Sequence, residues 1–108
     1  MILLFTDFGN DGPYLGQIEA ILYRKAPDTH VIRLLNDAPT AKPRLAGYLL
    51  AAICLEFPPG SVFLAVVDPG VGGERLPIVL KAEGRWFVGP DNDLFNTVAV
   101  QSGNAEWW

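Results

Sequence analysis

Short apolar runs that end in polar turns, with helical patterns between them, are the feature that most constrains the fold of this chain. The predicted strands are Ile2–Phe5, Val31–Leu35 and Ser61–Val67. Ile2–Phe5 is continuously apolar, which is typical of a strand that is buried on both faces. A strand–helix–strand–helix–strand order calls for right-handed crossovers, so the pattern predicts a parallel sheet with helices on both faces.

Two helices are predicted between these runs. Asp11 stands near the capping position of the first helix, Pro13 suits its first turn, and Pro27 ends it. Apolar residues recur along it at helical spacing, namely Tyr14, Leu15, Ile18, Ile21 and Leu22. The second helix is predicted to start near Pro43 and to stop at Pro58, with apolar residues at Leu45, Tyr48, Leu49, Ala52, Ile53 and Leu55.

The pattern changes after the third strand. Ile78–Ala82 and Arg85–Val88 flank Glu83-Gly84, which predicts a hairpin whose first strand runs antiparallel to the other strands. A third helix is predicted from Asp91-Asn92 to a stop near Gly103. The fold class predicted for residues 1–108 is α/β: a three-layer α/β/α domain with a mostly parallel mixed sheet and one antiparallel hairpin strand.

The excess of acidic over basic residues limits the kinds of partner that this chain is expected to bind. Eight Lys and Arg residues against twelve Asp and Glu residues give a formal net charge of −4, which argues against a nucleic-acid surface. The longest strongly apolar run, around Gly47–Leu55, is too short to cross a bilayer. The single cysteine, Cys54, cannot form a disulfide within the chain, so a reducing cytoplasm is the expected compartment.

Four predicted strands that run in the same direction end in polar turns. These turns hold Thr6-Asp7, Asn36-Asp37, Asp68 and Asp91-Asn92. Ligands of open α/β sheets bind outside the carboxyl ends of the strands, so these side chains are expected to gather along one edge. Each aspartate alone is explained as well by its use in turns and caps. Four of them at one edge favour a binding site.

The stretch from Val66 to Arg75 holds three glycines and a proline within five residues. A tight loop is predicted here, over which Arg75 could fold to pair with Asp68. Such a pair could position a water molecule, because the carboxylate accepts a proton while the guanidinium keeps that carboxylate ionised. A structural Asp–Arg bridge within a glycine-rich loop explains the same residues, and both interpretations stay open.

The other residues that could carry chemistry are isolated. His30, the sole histidine, is expected at the surface where the second strand starts, on the edge opposite to Asp68. Cys54 is expected to be a small core residue. One histidine and one cysteine cannot form a zinc site of usual composition, whereas the aspartates of the predicted edge would suit Mg²⁺.

Three segments, taken in order, resemble one known family. They are Leu4-Phe5-Thr6-Asp7-Phe8-Gly9 with Asp11, Tyr14 and Gly16; Val67-Asp68-Pro69-Gly70-Val71-Gly72 with Arg75; and Phe87-Val88-Gly89-Pro90-Asp91-Asn92. Together they are similar to the S-adenosyl-L-methionine hydrolases (adenosine-forming), also called S-adenosylmethionine hydroxide adenosyltransferases, which are related to fluorinating and chlorinating enzymes. The resemblance spans essentially the whole chain.

This resemblance implies a reaction and a role for individual residues. Water or hydroxide would displace methionine from the 5′ carbon of S-adenosylmethionine and leave adenosine, with no cofactor or metal. Asp68 and Arg75 match two members of a catalytic Asp–Arg–His set, and Asp68 separates the hydrolases from the fluorinating enzymes. Asp7 matches the aspartate that holds the ribose hydroxyls. The other substrate-binding residues implied are Phe8, Asp11, Gly70, Val71 and Asn92.

The chain departs from the family pattern at several positions. The catalytic histidine of the family comes from a segment past Trp108. Ala41-Lys42 stands where an aromatic residue followed by Asp is usual, Asn36 where a histidine is common, and Asp93 where a glycine is usual. The family also carries a carboxy-terminal β-rich domain that receives the adenine, and its members assemble as trimers with the site between subunits.

The family pattern therefore predicts that this chain is the amino-terminal α/β domain of a longer, homotrimeric, cytoplasmic enzyme. Part of its apolar surface is expected to be exposed, and the 108 residues alone are expected to be inactive. Two alternatives stay open. One is a non-catalytic module that binds adenosine or S-adenosylmethionine, favoured by Asn36 and Ala41-Lys42, and the other is a Mg²⁺-dependent hydrolase that uses the aspartate edge.

Overall fold

A computed structural model describes residues 1–39, 42–67 and 76–108 of the chain. Within these ranges, six strands form one sheet in the order β2-β1-β3-β5-β4-β6, and three helices accompany it. The strands are β1 (Ile2–Thr6), β2 (Val31–Leu35), β3 (Val62–Val66), β4 (Pro77–Ala82), β5 (Arg85–Pro90) and β6 (Glu106–Trp107). The helices are α1 (Tyr14–Lys25), α2 (Pro43–Ile53), which continues into a 3-10 turn at Cys54–Glu56, and α3 (Asn96–Gln101).

The sheet is mixed and mostly parallel, as predicted. β1 pairs in parallel with β2 and with β3, and β3 pairs in parallel with β5. β4 runs antiparallel to β5, from Pro77 opposite Pro90 to the turn at Glu83 and Gly84. These two turn residues have φ values of 53° and 73°, as a two-residue hairpin turn requires. The predicted hairpin is therefore confirmed.

One face of the sheet is covered by α2 and α3. The rings of Phe63 and Phe87 are fully buried there and stack with centroids 5.0 Å apart and planes 9° apart. Phe95, which precedes α3, packs on Phe87 at 5.8 Å. The residues that α2 buries against this layer are mostly small: Ala46, Gly47, Leu50 and Ala51. Each fully buried aromatic or leucine side chain contributes about 1.5–3 kcal/mol to folding, so this layer is the main source of stability.

The helix α1 lies on the opposite face of the sheet. Register partners in a sheet point to the same side, and Leu4 of β1 is paired with Arg33 of β2. Arg33 forms an ion pair with Glu19 of α1, which places α1 on the side of Leu4. Leu4 of β1 and Leu15 of α1 are both buried on this side. Helices on both faces confirm the predicted three-layer α/β/α arrangement.

The helix boundaries differ from the prediction at three places. The helix α2 ends at Ile53 and gives way to a 3-10 turn, rather than running on to Pro58. Pro13 is itself the N-cap of α1, and no side chain of the described residues caps that end. The predicted capping role of Asp11 is therefore wrong, and Asp11 is exposed in the preceding loop. The helix α3 begins at Asn96 rather than directly after Asn92, because Asp93 has a φ of +70°, which a right-handed helix cannot contain.

The apolar pattern located α2 but not the side that it buries. Leu45, Tyr48, Leu49 and Leu55 are between 39% and 60% exposed, although they follow helical spacing. The small side of α2 faces inward instead, because the backbone of Leu94 lies directly against Gly47. The expectation that part of the apolar surface is exposed is confirmed for these residues.

Three further expectations concern single features of the chain. His30 is exposed at the start of β2 and Cys54 is buried, both as predicted. None of the helices in the described ranges has the length and apolar character needed to span a membrane.

Candidate active site at the carboxyl edge of the sheet

The strand order places a topological switch point at the carboxyl ends of β1 and β3. The chain passes from β1 to β2 on one side and then crosses to β3 on the other side. Two right-handed crossovers in opposite directions put their helices on opposite faces. In open α/β sheets, ligands bind at the carboxyl ends of two strands related in this way. Asp7 directly follows β1, and Val67 directly follows β3. The predicted gathering of polar turns at one edge is therefore centred on these two strands.

The backbone around Asp7 is held by hydrogen bonds to both neighbouring segments. The N–H of Asp7 donates to the carbonyl of Val66 at 3.3 Å, and the N–H of Ala38 donates to the carbonyl of Thr6 at 3.0 Å. The hydroxyl oxygen of the fully buried Thr6 accepts a 3.4 Å bond from the N–H of Phe8. These contacts fix the direction in which the half-buried Asp7 leaves the strand.

Asn36, which follows β2, binds the loop that carries Phe8 and Asp11. Its carbonyl accepts a 2.7 Å bond from the N–H of Gly9, and its side-chain amide donates to Oδ1 of Asn10 at 2.5 Å. Gly9 has a φ of +79°, a conformation that glycine adopts without strain. Asn36 thus has a defined structural role in this chain. The Asn36–Asn10 contact was not predicted, because a pair 26 residues apart has no local signal.

Phe8 and Asp11 occupy different environments in this loop. The half-buried ring of Phe8 lies 6.1 Å from the ring of Tyr14, tilted by 57°. Tyr14 was predicted on the apolar side of α1 but is 64% exposed, so its ring lies at the surface next to Phe8 rather than in the core. Asp11 is exposed.

Asn92 reaches the end of β3 from the turn after β5. Its Nδ2 donates to the carbonyl of Val67 at 2.6 Å, and its Oδ1 accepts a 3.3 Å bond from the N–H of Leu94. Both ends of the side-chain amide therefore bind this chain's own backbone. The backbone N–H of Asp7 donates to the carbonyl of Val66, and the side-chain amide of Asn92 donates to the adjacent carbonyl of Val67. The structure therefore brings these two predicted residues to the same strand end.

The remaining predicted site residues lie outside the described residues. These are the catalytic pair Asp68 and Arg75 and the substrate-binding residues Gly70 and Val71. Val67, the last described residue before them, lies at the same edge of the sheet as Asp7 and Asn92.

A cleft next to Asn92 was not predicted from the sequence. It has a volume of about 450 Å³ and is lined by Lys42, Arg44, Tyr48 and Asp93 among others. Tyr48 is half-exposed, whereas its helical spacing had placed it with the apolar residues of α2. The signal that could have revealed the cleft is the pair of cations at the start of a helix that otherwise carries no charged residue.

Cys54 stands apart from this edge. The residue is 4% exposed, and its thiol donates to the carbonyl of Ala51 at 3.6 Å. Burial raises the pKa of the Cys54 thiol above its ordinary value of 9.0, although nearby Arg85 opposes the shift. A buried neutral thiol of this kind is a structural group. Among the described residues, no three His, Cys, Asp or Glu side chains converge in a way that could hold a metal ion.

The strand order and the polar edge are those of an open α/β domain. In such domains, small molecules bind at the topological switch point. Residues 2–108 match the sequence profile of a family described as the SAM hydroxide adenosyltransferase N-terminal domain. The chain belongs to this family.

Curated relatives and solved structures agree with this assignment. A protein from Thermus thermophilus named (R)-S-adenosyl-L-methionine hydrolase is 42% identical over 95 residues, which is 87% of this chain and 36% of that protein. One of the same name from Methanocaldococcus jannaschii is 37% identical over 108 residues, covering 95% and 41% of the two chains.

Two solved structures have the same fold. An uncharacterized conserved protein from Thermotoga maritima has a TM-score of 0.91 at 38% identity, covering 99% of this chain and 41% of that one. A conserved hypothetical protein from Thermus thermophilus has a TM-score of 0.83 at 35% identity, covering 94% and 43%. This chain spans about two fifths of the length of the relatives that it matches.

Proposed function

We propose that the complete protein hydrolyses S-adenosyl-L-methionine to adenosine and L-methionine. The observation that carries this proposal is the family match over residues 2–108, supported by relatives named (R)-S-adenosyl-L-methionine hydrolase at 37–42% identity. The switch point at the carboxyl ends of β1 and β3, where Asp7 lies, is the place at which such a fold binds a small molecule.

The proposed reaction is a nucleophilic substitution at the ribose 5′ carbon. The oxygen of water forms a bond to this carbon while the bond to sulfur breaks, and the sulfur keeps the electron pair and leaves as the neutral thioether of methionine. The water releases one proton. Because a sulfonium is already a good leaving group, the protein needs to align the water opposite the sulfur and to take up its proton, rather than to supply a general acid.

The site residues receive roles that fit this chemistry. Asp68 and Arg75 would orient and deprotonate the water, with a histidine from the remainder of the protein. The carboxylate of Asp7 would accept hydrogen bonds from the ribose hydroxyls, and Phe8, Asp11, Gly70, Val71 and Asn92 complete the substrate-binding set carried over from the family. No cofactor or metal takes part in this mechanism.

The proposal extends to assembly and location. We expect a cytoplasmic homotrimer in which the adenine is received by a β-rich domain outside the present chain. The exposed apolar residues of α2 support burial of this surface in the complete protein.

The test is an assay of adenosine release by the complete protein, using the (R) and the (S) forms of S-adenosylmethionine separately. We expect adenosine and methionine in equal amounts from the (R) form without added metal. Asp68→Asn is expected to lower kcat by at least about a thousandfold, on the scale of removing a group that acts in the chemical step. Asp28→Asn, at an exposed position in the loop between α1 and β2, should leave kcat unchanged.

Other outcomes identify the alternative functions. Tight calorimetric binding of adenosine with no turnover would indicate a non-catalytic binding module. Activity that is lost with a chelator and restored by Mg²⁺ would indicate a metal-dependent hydrolase. Full activity of the Asp68→Asn variant would remove Asp68 from the mechanism.

A further inference from the structure

Three consecutive backbone N–H groups after β1 bind three different parts of the chain. The donors, with their acceptors, are Asp7 to the carbonyl of Val66 at 3.3 Å, Phe8 to Oγ1 of Thr6 at 3.4 Å, and Gly9 to the carbonyl of Asn36 at 2.7 Å. The bond from Gly9 is the shortest of the three, and it leads to the turn that follows β2. The course of the loop from Asp7 to Asp11 therefore depends on Asn36.

Asn36 holds two consecutive residues of this loop. Its backbone carbonyl accepts the bond from Gly9, and its side-chain Nδ2 donates to Oδ1 of Asn10 at 2.5 Å. Asn36 is itself tied to the sheet, because the N–H of the buried Ala38, two residues further on, donates to the carbonyl of Thr6 in β1 at 3.0 Å. Asn36 is thus a fixed support for a loop whose own residues are exposed or half-buried.

The loop needs such a support because of its glycines. Gly9 and Gly12 have φ values of +79° and +87°, and glycine has more backbone freedom than any other residue when it is not held. A loop that must become ordered when a ligand binds lowers the affinity, whereas a loop that is already ordered does not. This loop begins at Asp7 and carries Phe8 and Asp11, so its order bears directly on the proposed substrate contacts.

We propose that Asn36 is a positioning residue, which orders the loop of Asp7, Phe8 and Asp11 before substrate binds. This inference rests on the proposed function and deepens it, because it adds a residue that acts on the substrate through its neighbours. Loss of the pre-ordered loop weakens substrate binding and therefore raises KM. The effect on kcat is smaller, since the alignment and deprotonation of water are assigned to other residues.

Exchanges of asparagine for aspartate in the complete protein test the side-chain contact. In Asn36→Asp the amide of Asn10 can turn over and donate to the new carboxylate, and in Asn10→Asp the amide of Asn36 still donates. Each single variant should therefore keep KM within about threefold of the wild type. The double variant places two carboxylates together with no donor between them, so its KM should exceed the product of the two single effects at least about fivefold. Single effects that simply multiply in the double variant would overturn the proposal.

The matched control is an asparagine that joins two segments near the amino end of β5, away from the candidate site. Oδ1 of Asn104 accepts bonds from the N–H of Glu83 at 3.2 Å and from the hydroxyl of Ser102 at 2.8 Å. Asn36→Ala should raise KM about three- to tenfold and keep kcat within about twofold, while Asn104→Ala should keep both constants within about twofold. An equal rise in KM in both variants, or a fall in kcat alone in Asn36→Ala, would overturn the proposal.

Amide hydrogen exchange, measured by mass spectrometry, supplies a readout that does not depend on activity. The peptide of the complete protein that covers residues 5–13 should exchange at least about fivefold faster in Asn36→Ala than in Asn104→Ala, because exchange reports local opening. If the wild type releases no adenosine but this difference is present, the proposed function fails and the ordering role of Asn36 stands. Equal exchange rates would overturn the ordering role whatever the activity.

Discussion

Gly47 of α2 lies directly against the backbone carbonyl of Leu94. A Cβ atom at position 47 would overlap this oxygen, so the helix can approach the turn before α3 only because the residue is glycine. Neither backbone can move away easily, since Leu94 and Phe95 are buried beneath the helix. The close approach joins α2 to the turn that carries Asn92.

Gly47→Ala is therefore expected to destabilise the protein by about 1–3 kcal/mol, the usual cost of overpacking a tight contact. Gly16→Ala is the matched control, because Gly16 is also a helix residue but has open space around its Cβ position. That change should stabilise the protein by about 0.5–1 kcal/mol. Denaturant unfolding measures both, and equal free energies of unfolding for the two variants would contradict the close contact.

Arg85 closes the end of the 3-10 turn after α2. Its Nε and Nη2 both donate to the carbonyl of Phe57, at 2.8 and 2.6 Å, and its Nη1 donates to the carbonyl of Glu83 at 2.7 Å. Lysine cannot reproduce this forked geometry, so Arg85→Lys should cost about 1–2 kcal/mol of stability. Arg24→Lys, at an exposed position in the last turn of α1, should change it by less than about 0.5 kcal/mol.

Stability should fall at high pH through Cys54. Burial raises the pKa of the folded thiol above 9.0, so between the unfolded and folded pKa values the unfolded chain has lost a proton that the folded chain keeps. The stabilisation is complete below the ordinary thiol pKa and is lost as pH rises through the folded value. Unfolding measured from about pH 8 to pH 11 should show a steeper decline in the wild type than in Cys54→Ala. Parallel curves would show that the thiol is not shielded.

Asp7 is expected to act on substrate binding in the complete protein. Removing a carboxylate that accepts hydrogen bonds from ribose hydroxyls costs about 1.5–3 kcal/mol, so Asp7→Ala should raise KM by roughly 10- to 150-fold. Steady-state adenosine release measures the change, with Asp28→Ala, in the exposed loop before β2, as the control. An unchanged KM for Asp7→Ala would exclude the ribose contact.

The sequence was informative about elements whose residues repeat a local pattern. The apolar runs of β1, β2 and β3 and the hairpin at Glu83-Gly84 were all located correctly, because buried strands and tight turns restrict residue types. β6 was not predicted, since two residues carry no periodicity and Glu106-Trp107 becomes a strand only by pairing with Leu80 and Lys81 of β4.

The sequence predicted which edge of the sheet carries the candidate site, but it did not predict the contacts that its residues make. Strand direction alone brings Asp7 and Asn92 to one side of the sheet. That the Asn92 amide binds Val67, 25 residues earlier, depends on where the β3–β5 ladder ends, and no local pattern encodes this. The same holds for Asn10 and Asn36, whose contact depends on the loop conformation set by Gly9.

The pairing of β6 with β4 gives the protein an internal optical reporter. The three tryptophans of the chain are Trp86, Trp107 and Trp108, and the rings of Trp86 and Trp108 lie 5.6 Å apart at an angle of 34°. Two indoles at this separation couple their electronic transitions, which gives a paired signal of opposite signs in circular dichroism. That signal disappears when β6 leaves the sheet, so attachment of the last strand can be followed in solution without any added label.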